Sequence, residues 1–406
     1  MDKDQTFVIV GASLTGAKAA EELRERGFDG RVILLGAEPE RPYERPSLSK
    51  DFLRGEADGK PYVHEEGFYA EKNIDLRTGV TVTAIDPLGS SVTVDGSEEI
   101  GFDRLLIATG AEPRRLDLPG AGLDGVVYLR TVADSEARGR RFGDGVRVVV
   151  VGAGWIGSEV AASARQKGCD VTMIAPESAP LERVLGPELG KVYLDVHEDH
   201  GVRFLAGTGV TGFLGSGSAE AVLTDSNERI EADLVVVGAG VLPRTALAEA
   251  ARISTDNGIL TGASLETEAP GIFAAGDVAN AFHPFYNQRI RVEHWANARR
   301  QGAAAARSML GEPVEFDEIP YFFSDQYDVG MEYVGYAPES DGIVYRGDVD
   351  TREFIAFWVK DGQVVAGMNV NVWDVSDPIR DLIRSRNEVD AGQLADSEVD
   401  LVTLAG

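Results

Sequence analysis

Two glycine loops carry the clearest chemistry in the chain. Gly152-Ala-Gly154-Trp-Ile-Gly157 follows an apolar run, "RVVVV", and opens a stretch rich in small residues. In this pattern the first glycine makes a tight turn and the second lets backbone approach a pyrophosphate. The third lets a helix pack close to its strand, so that free N–H groups and the helix dipole face the phosphates. Gly11-Ala-Ser13-Leu-Thr-Gly16 repeats the arrangement with serine at the middle position, a small residue whose hydroxyl can donate to phosphate. Late in the chain, "GIFAAGDVAN" places Asp277 just after a strand ending in Gly276. A carboxylate there can accept hydrogen bonds from a polyol chain, cap the next helix, or do both.

A third segment stands apart. "RPYERPSLSK", residues 41–50, has two prolines and three cations (Arg41, Arg45 and Lys50) in a chain of formal net charge -28. It follows a buried apolar run and shows neither helical nor strand periodicity, so it reads as a stiff, irregular, basic segment.

The elements that must position these residues come from an internal repeat. "FVIVGASLTGAKAAEELRERG" and "RVVVVGAGWIGSEVAASARQKG" each give an apolar run, a glycine turn and a small-residue amphipathic stretch, and each is followed by a second apolar run. Further on, "DRLLIATGAEPR" and "ADLVVVGAGVLPR" match each other, each a buried strand ending in a turn (Thr109-Gly110 in the first, Gly238 in the second). Two βαβ dinucleotide-binding units, each closed by a later strand, account for all four segments. From about residue 319 the texture changes to aromatics. "FIAFWVK" and "QVVAGMNVNVW" flank a Lys-Asp-Gly turn and predict a hairpin, "DPIRDLIRSR" predicts a helix, and the acidic segment after Arg386 is weakly patterned. The fold class expected is α/β: two doubly wound dinucleotide-binding domains plus a C-terminal α+β interface domain. The boundaries are 1–112 with 246–318, then 113–245, then 319–406.

Composition narrows the classes of function. At 406 residues and 43% hydrophobic, the chain can bury several cores. Its acidity argues against nucleic-acid or anionic-membrane partners. One cysteine, Cys169, permits no internal disulfide, no dithiol pair and no cysteine-based metal site, and suits a reducing cytoplasm. No metal site is expected. The N-terminus lacks a basic leader pattern. Two dinucleotide sites in one chain imply one tightly held redox dinucleotide and one exchanging partner, the usual pair being FAD and NAD(P)H.

At this point the chain resembles the FAD-dependent NADH:ferredoxin and rubredoxin reductases of glutathione-reductase-like fold. The similarity runs through "RPYERPSLSK", "LLIATGAEPR", "YLRTVADS", "VVVGAGWIGSEVA", "PLERVLG", "IFAAGDVA", "VEHWANARRQG" and "PYFFSDQYD". It implies that segment 41–50 folds over the flavin, with Arg45 and Arg130 on the FAD pyrophosphate side and Lys50 at the isoalloxazine edge, paired with Glu159. It implies an adenine contact through the Val82 backbone, a Trp295 backbone contact at the flavin, and Asp277 on the ribityl chain. Leu14, Thr15, Ile156 and Gly238 complete the expected cofactor-binding set. Three positions depart from the family pattern. Ala37 stands where relatives commonly have an acid, leaving Glu38 to reach the adenosine ribose. Ala175 stands where NADH users keep an acid, and nearby Glu177 would repel a 2′-phosphate, which favours NADH over NADPH. Tyr321 and Phe323 replace frequent tryptophans.

The resemblance implies electron transfer from NADH through FAD to a 2Fe–2S ferredoxin or rubredoxin that supplies an oxygenase. A flavin-linked disulfide or peroxide reductase would need cysteine in 41–50, and there is none. An apoptosis-inducing-factor-like or NADH-oxidase-like protein is the alternative. The basic patch expected to meet an acidic ferredoxin is Arg289, Arg291, Arg299, Arg300 and Arg307, with Arg380, Arg384 and Arg386 as the second candidate.

Overall fold

The computed structural model describes residues 3–406; Met1 and Asp2, with which the first expected domain begins, lie outside the described residues. The chain divides into two compact units. One comprises the chain up to residue 44, 60–112 and 241–320, and the other 45–59, 113–240 and 321–406.

The first unit is built on a five-stranded parallel sheet in the order Ile272–Ala274, Arg104–Ile107, Thr6–Val10, Arg31–Gly36, Ile74–Thr78. Its inner strands are continuous apolar runs because both faces are covered, whereas the edge strand Ile74–Thr78 alternates with polar residues. Val8, Ile9, Ile33 and Leu34 are fully buried. The crossover helix Leu14–Glu25 turns Ala17, Ala19, Ala20 and Leu23 inward. Small residues also line the helix Trp295–Met309, which packs along it. The approach is so close that a Cβ on Gly302 would lie 2.3 Å from the Thr15 carbonyl oxygen.

The second unit repeats the plan in the order Arg203–Leu205, Asp170–Ile174, Arg147–Val151, Leu234–Val237, Val126–Val127, again all parallel. Its crossover helix is Trp155–Gln166. The C-terminal part of this unit is an antiparallel sheet in the order Tyr321–Gln326, Val329–Gly335, Gln363–Val370, Glu353–Lys360, Gly342–Asp348. The helix Pro187–Asp199 covers one face, where Leu189, Tyr193 and Val196 join the cluster of Met331, Phe354 and Met368. The helix Ser376–Ser385 packs on the sheet too, with Ile379 set over Gly367.

The α/β class and the repeat thus hold, and so does the hairpin. Asp361 and Gly362 both take positive φ, 50° and 74°, as a two-residue turn between right-twisted strands requires. Two expectations need correction. Residues 41–50 are not irregular throughout: Pro46–Ser49 forms a 3₁₀ turn and Asp51–Arg54 a short helical turn, with Lys50 between them. Pro46 starts the first turn because its fixed φ suits that position and its missing N–H is not needed there. The acidic C-terminal segment folds into helices Ala391–Ala395 and Leu401–Ala405. Asp390 and Asp400, part of that acidic segment, are their N-caps, and Leu394 and Leu401 are their buried anchors.

Gly302→Ala should destabilise the protein by about 1–3 kcal/mol, because the backbone oxygen it meets cannot move aside without separating two helices. Urea unfolding checks this as a fall in the midpoint at unchanged slope.

Candidate functional site

Both glycine loops have the geometry that phosphate binding needs. In the first unit Gly11 sits at φ 122°, and a Cβ there would lie 2.1 Å from the Ala108 carbonyl oxygen. A Cβ on Gly16 would lie 2.1 Å from the Gly11 oxygen. In the second unit Gly152, at φ 101°, would meet the Gly238 oxygen at 2.4 Å, and Gly157 the Gly152 oxygen at 2.1 Å. These four glycines are therefore required by the protein's own packing. Gly154 is different: a Cβ there would meet nothing within 4 Å. Its backbone faces open space, as the middle glycine of a pyrophosphate cradle must.

The helices behind the loops are left ready for an anion. Neither Leu14–Glu25 nor Trp155–Gln166 has a side-chain cap, and neither carries an acid in its first turn. That restraint stands out in a chain with 67 acidic residues. Ser13, the N-cap of the first, is extended and does not use its hydroxyl as a cap. Leu14 and Thr15 are buried beneath it, whereas Ile156 on the second helix is 44% exposed. The residues present fit two dinucleotide pyrophosphates.

Around the first cradle, Gly276 at φ 79° brings its turn against Thr15, whose Oγ1 would lie 2.4 Å from a Cβ at that position. The Gly276 N–H donates to Gln301 Oε1 at 2.8 Å; Gln301 is a buried residue that sequence reading passed over. Asp277 lies in the 3₁₀ turn Gly276–Val278 and leads into a strand, so it caps no following helix. Arg291 donates to its carbonyl at 3.2 Å. Glu38 accepts from the Tyr43 hydroxyl. Val82 is buried at the start of strand Val82–Asp86. Thr109 donates to the Arg244 carbonyl at 2.9 Å, and Gly110 takes φ 68°. Trp295 opens its helix, with the Arg299 guanidinium 5.5 Å above its ring.

In the second unit the segment from Arg45 is fixed by backbone contacts. Arg45 donates to the Arg130 carbonyl. Ser135 donates to the Leu48 carbonyl at 2.8 Å and Ser163 to the Ser49 carbonyl at 2.7 Å. Gly139 lets a neighbouring helix close on Leu53: a Cβ there would lie 2.4 Å from its carbonyl oxygen. So held, Lys50 places Nζ 2.8 Å from Glu159 Oε2 and 3.1 Å from the Pro46 carbonyl. The pair is well buried, its side chains 12% and 6% exposed. Glu159 also accepts from Ser49 on Oε2 and from Ser324 on Oε1, at 2.5 and 2.7 Å. The Phe323 ring lies 5.8 Å from Lys50 Nζ. Asp325, beside this pair, has its carboxyl pushed up by burial, against the opposing pull of Lys50.

At the end of strand Asp170–Ile174, Ala175 is fully buried and offers no ribose contact. Glu177 lies 3.8 Å from Arg183, a largely exposed cation that sequence reading did not weigh. The expected basic patch is mostly spent internally. Arg291, Arg300 and Arg307 pair with Glu293, Glu318 and Glu312. Arg289 donates to the Thr261 and Asn280 carbonyls, and Arg380 pairs with Asp377. Among the described residues no group of three or more His, Cys, Asp and Glu is placed to hold a metal, and no helix is long and apolar enough to cross a membrane.

Comparison with known proteins agrees with this geometry. Residues 5–302 match the pyridine nucleotide-disulphide oxidoreductase family and residues 321–405 the reductase C-terminal family. The chain belongs to the pyridine nucleotide-disulphide oxidoreductases, in the branch that carries this C-terminal module. It is 38% identical over 402 residues to the ferredoxin–NAD(+) reductase component of an anthranilate 1,2-dioxygenase system from Burkholderia cepacia, covering 98% of each chain. It is 34% identical to putidaredoxin reductase from Pseudomonas putida, covering 99% of this chain and 97% of that one. A crystal structure of a covalent putidaredoxin reductase–putidaredoxin complex superposes with a TM-score of 0.96 at 34% identity, over 99% of this chain and 98% of that one. FAD and a nicotinamide dinucleotide are the cofactors that membership implies.

Gly154→Ala should leave stability within about 0.5 kcal/mol, since the new methyl meets no protein atom, yet weaken NAD(P)H binding. Gly157→Ala should lower the melting temperature. Thermal unfolding alongside nucleotide titration separates the two, and a Gly154→Ala protein that binds nucleotide normally would mean that the open space is not the phosphate seat.

Proposed function

We propose that the chain is a ferredoxin reductase: it takes hydride from NADH and, through FAD, delivers electrons to a small iron–sulfur protein, a 2Fe–2S ferredoxin or a rubredoxin, that supplies an oxygenase. The observation that carries this reading is the buried Lys50–Glu159 pair, held in the same chain as two phosphate cradles. FAD, when bound, supplies the change from a two-electron donor to one-electron acceptors. A dithiol route is closed, because the one cysteine, Cys169, is buried in a hydrophobic cluster.

In this reading residues 1–112 with 246–318 hold FAD, 113–245 hold the nicotinamide nucleotide, and 319–406 serve the interface with the partner. Gly11, Ser13, Leu14, Thr15 and Gly16 seat the FAD pyrophosphate, and Arg45 and Arg130 balance its charge. Asp277 accepts from the ribityl hydroxyls, and Glu38 from the adenosine ribose. Gly152, Gly154, Ile156, Gly157 and Gly238 form the floor under the exchanging nucleotide. Lys50 is the catalytic cation and Glu159 its counter-ion, and the buried pair keeps a fixed charge arrangement that need not reorganise during hydride transfer. The single buried thiol suits a reducing cytoplasm.

The preference for NADH rests on Glu177, which disfavours a 2′-phosphate by like charge. The Arg183 cation lies 3.8 Å from Glu177 and works against that repulsion. Glu177→Arg should therefore raise kcat/KM for NADPH. Steady-state kinetics with both nucleotides check this, and a wild-type preference for NADPH would refute it.

Lys50→Ala should slow flavin reduction by NADH by about 10-fold or more while FAD content stays unchanged, because a charge-assisted hydrogen bond and a fixed cation are lost together. Stopped-flow bleaching of the flavin reads the rate. The electron-acceptor assignment is tested with cytochrome c: reduction should require an added 2Fe–2S ferredoxin, and rapid reduction without one would contradict the proposal.

A further inference from the structure

We propose that Ser324 is a positioning residue for the Glu159 carboxylate, locked as a donor by a one-way chain of hydrogen bonds through Gln326 and His197. The inference rests on the reading that the Lys50–Glu159 pair governs flavin reduction, and extends it to residues of the C-terminal sheet.

The direction of the chain follows from chemistry. Glu159, ionised beside Lys50, can only accept, so Ser324 must donate to Oε1, at 2.7 Å. The Ser324 oxygen then has lone pairs left, and Gln326 Nε2 donates to it across 3.4 Å, the longest link. That turns Gln326 Oε1 toward His197 Nε2 at 3.0 Å, so Nε2 must carry the proton. His197 Nδ1 is left as an acceptor, and the Tyr327 hydroxyl lies 3.3 Å from it. Every donor points the same way, toward Glu159, and aligned donors polarise one another.

Burial supports the arrangement. Ser324, Gln326 and His197 are each no more than 1% exposed. Burial also pushes the imidazole down to about 4, so His197 is neutral at physiological pH, as a single Nε2–H donor requires. The Tyr327 ring is held from outside by His200, stacked at 3.7 Å. An amide does not readily pass protons along such a line, so the chain orients and polarises instead of conducting. It also gives the C-terminal sheet a part in the chemistry: its first strand, Tyr321–Gln326, supplies Ser324 and Gln326.

Four variants, loaded with FAD, test this: Ser324→Ala, Ser324→Thr, Gln326→Leu and, as control, Lys50→Ala. Flavin bleaching by NADH is followed by stopped flow, and the tautomer of His197 by nitrogen NMR of histidine-labelled protein. We expect Ser324→Ala to lower the limiting bleaching rate about 10-fold, the loss of roughly one charge-assisted hydrogen bond, with the half-saturating NADH concentration unchanged. Ser324→Thr should restore most of the rate. Gln326→Leu should give a smaller loss and move the His197 Nε2 resonance, which in wild type should be the protonated nitrogen. Should Ser324→Ala fail to fold, the Gln326→Leu rate and the wild-type tautomer decide. A His197 protonated on Nδ1, or wild-type rates in Ser324→Ala and Gln326→Leu while Lys50→Ala is slow, would overturn the proposal alone. A wild-type rate in Lys50→Ala would overturn the underlying reading instead.

Discussion

The constraint on which the second unit's organisation turns is the burial of one ion pair. Taking Lys50 and Glu159 out of water carries a desolvation cost of several kcal/mol per ion, which their attraction offsets only if every remaining donor and acceptor is satisfied. The structure goes most of the way to that condition. Glu159 receives Lys50, Ser49 and Ser324, and Lys50 also reaches the Pro46 carbonyl. A fixed backbone from Arg45 to Lys50 brings these groups together. Pro46, the 3₁₀ turn, and the serine ties from Ser135 and Ser163 supply it. A pair that merely stabilised the fold could be replaced by packed apolar side chains at little loss. A pair kept charged at this cost fits a place where charge is used.

The phosphate cradles follow a complementary logic. This strongly acidic chain keeps carboxylates out of the first turn of both crossover helices. Dipole and free N–H groups are thereby left for an anion instead of being neutralised from within. The glycines divide the labour. Gly11, Gly16, Gly152 and Gly157 exist because backbone atoms approach to a distance no Cβ tolerates, while at Gly154 no protein atom lies within 4 Å of where a Cβ would sit. The arginines around Trp295 show the reverse economy. Three of the five are paired with neighbouring carboxylates and Arg289 is tied to backbone carbonyls, so much of that positive charge is balanced or held locally.

Much of this was legible in the sequence. The repeat of apolar run, glycine turn and small-residue helix specified both parallel sheets, because a continuous apolar strand and a glycine-tight crossover have few other uses. The Asp-Gly turn announced its hairpin. What escaped was whatever depends on distant residues meeting. Gln301 and Ser324 lie far along the chain from Gly276 and Glu159, and a lone buried glutamine or serine has no pattern of its own. Residues 46–54 hid their turns because two short turns are below the length at which periodicity can be seen. Asp390 and Asp400 were not legible as caps because capping is visible only once the helix behind it is known.

The central claim is that Lys50 and Glu159 act as one unit. A double-mutant cycle measures it most directly: limiting rates of flavin reduction by NADH in wild type, Lys50→Ala, Glu159→Ala and the double variant, each with matched FAD content. Residues that act as a unit are non-additive, so the double variant should be no slower than the slower single variant. Rate losses that simply multiply would show two independent side chains and contradict the account.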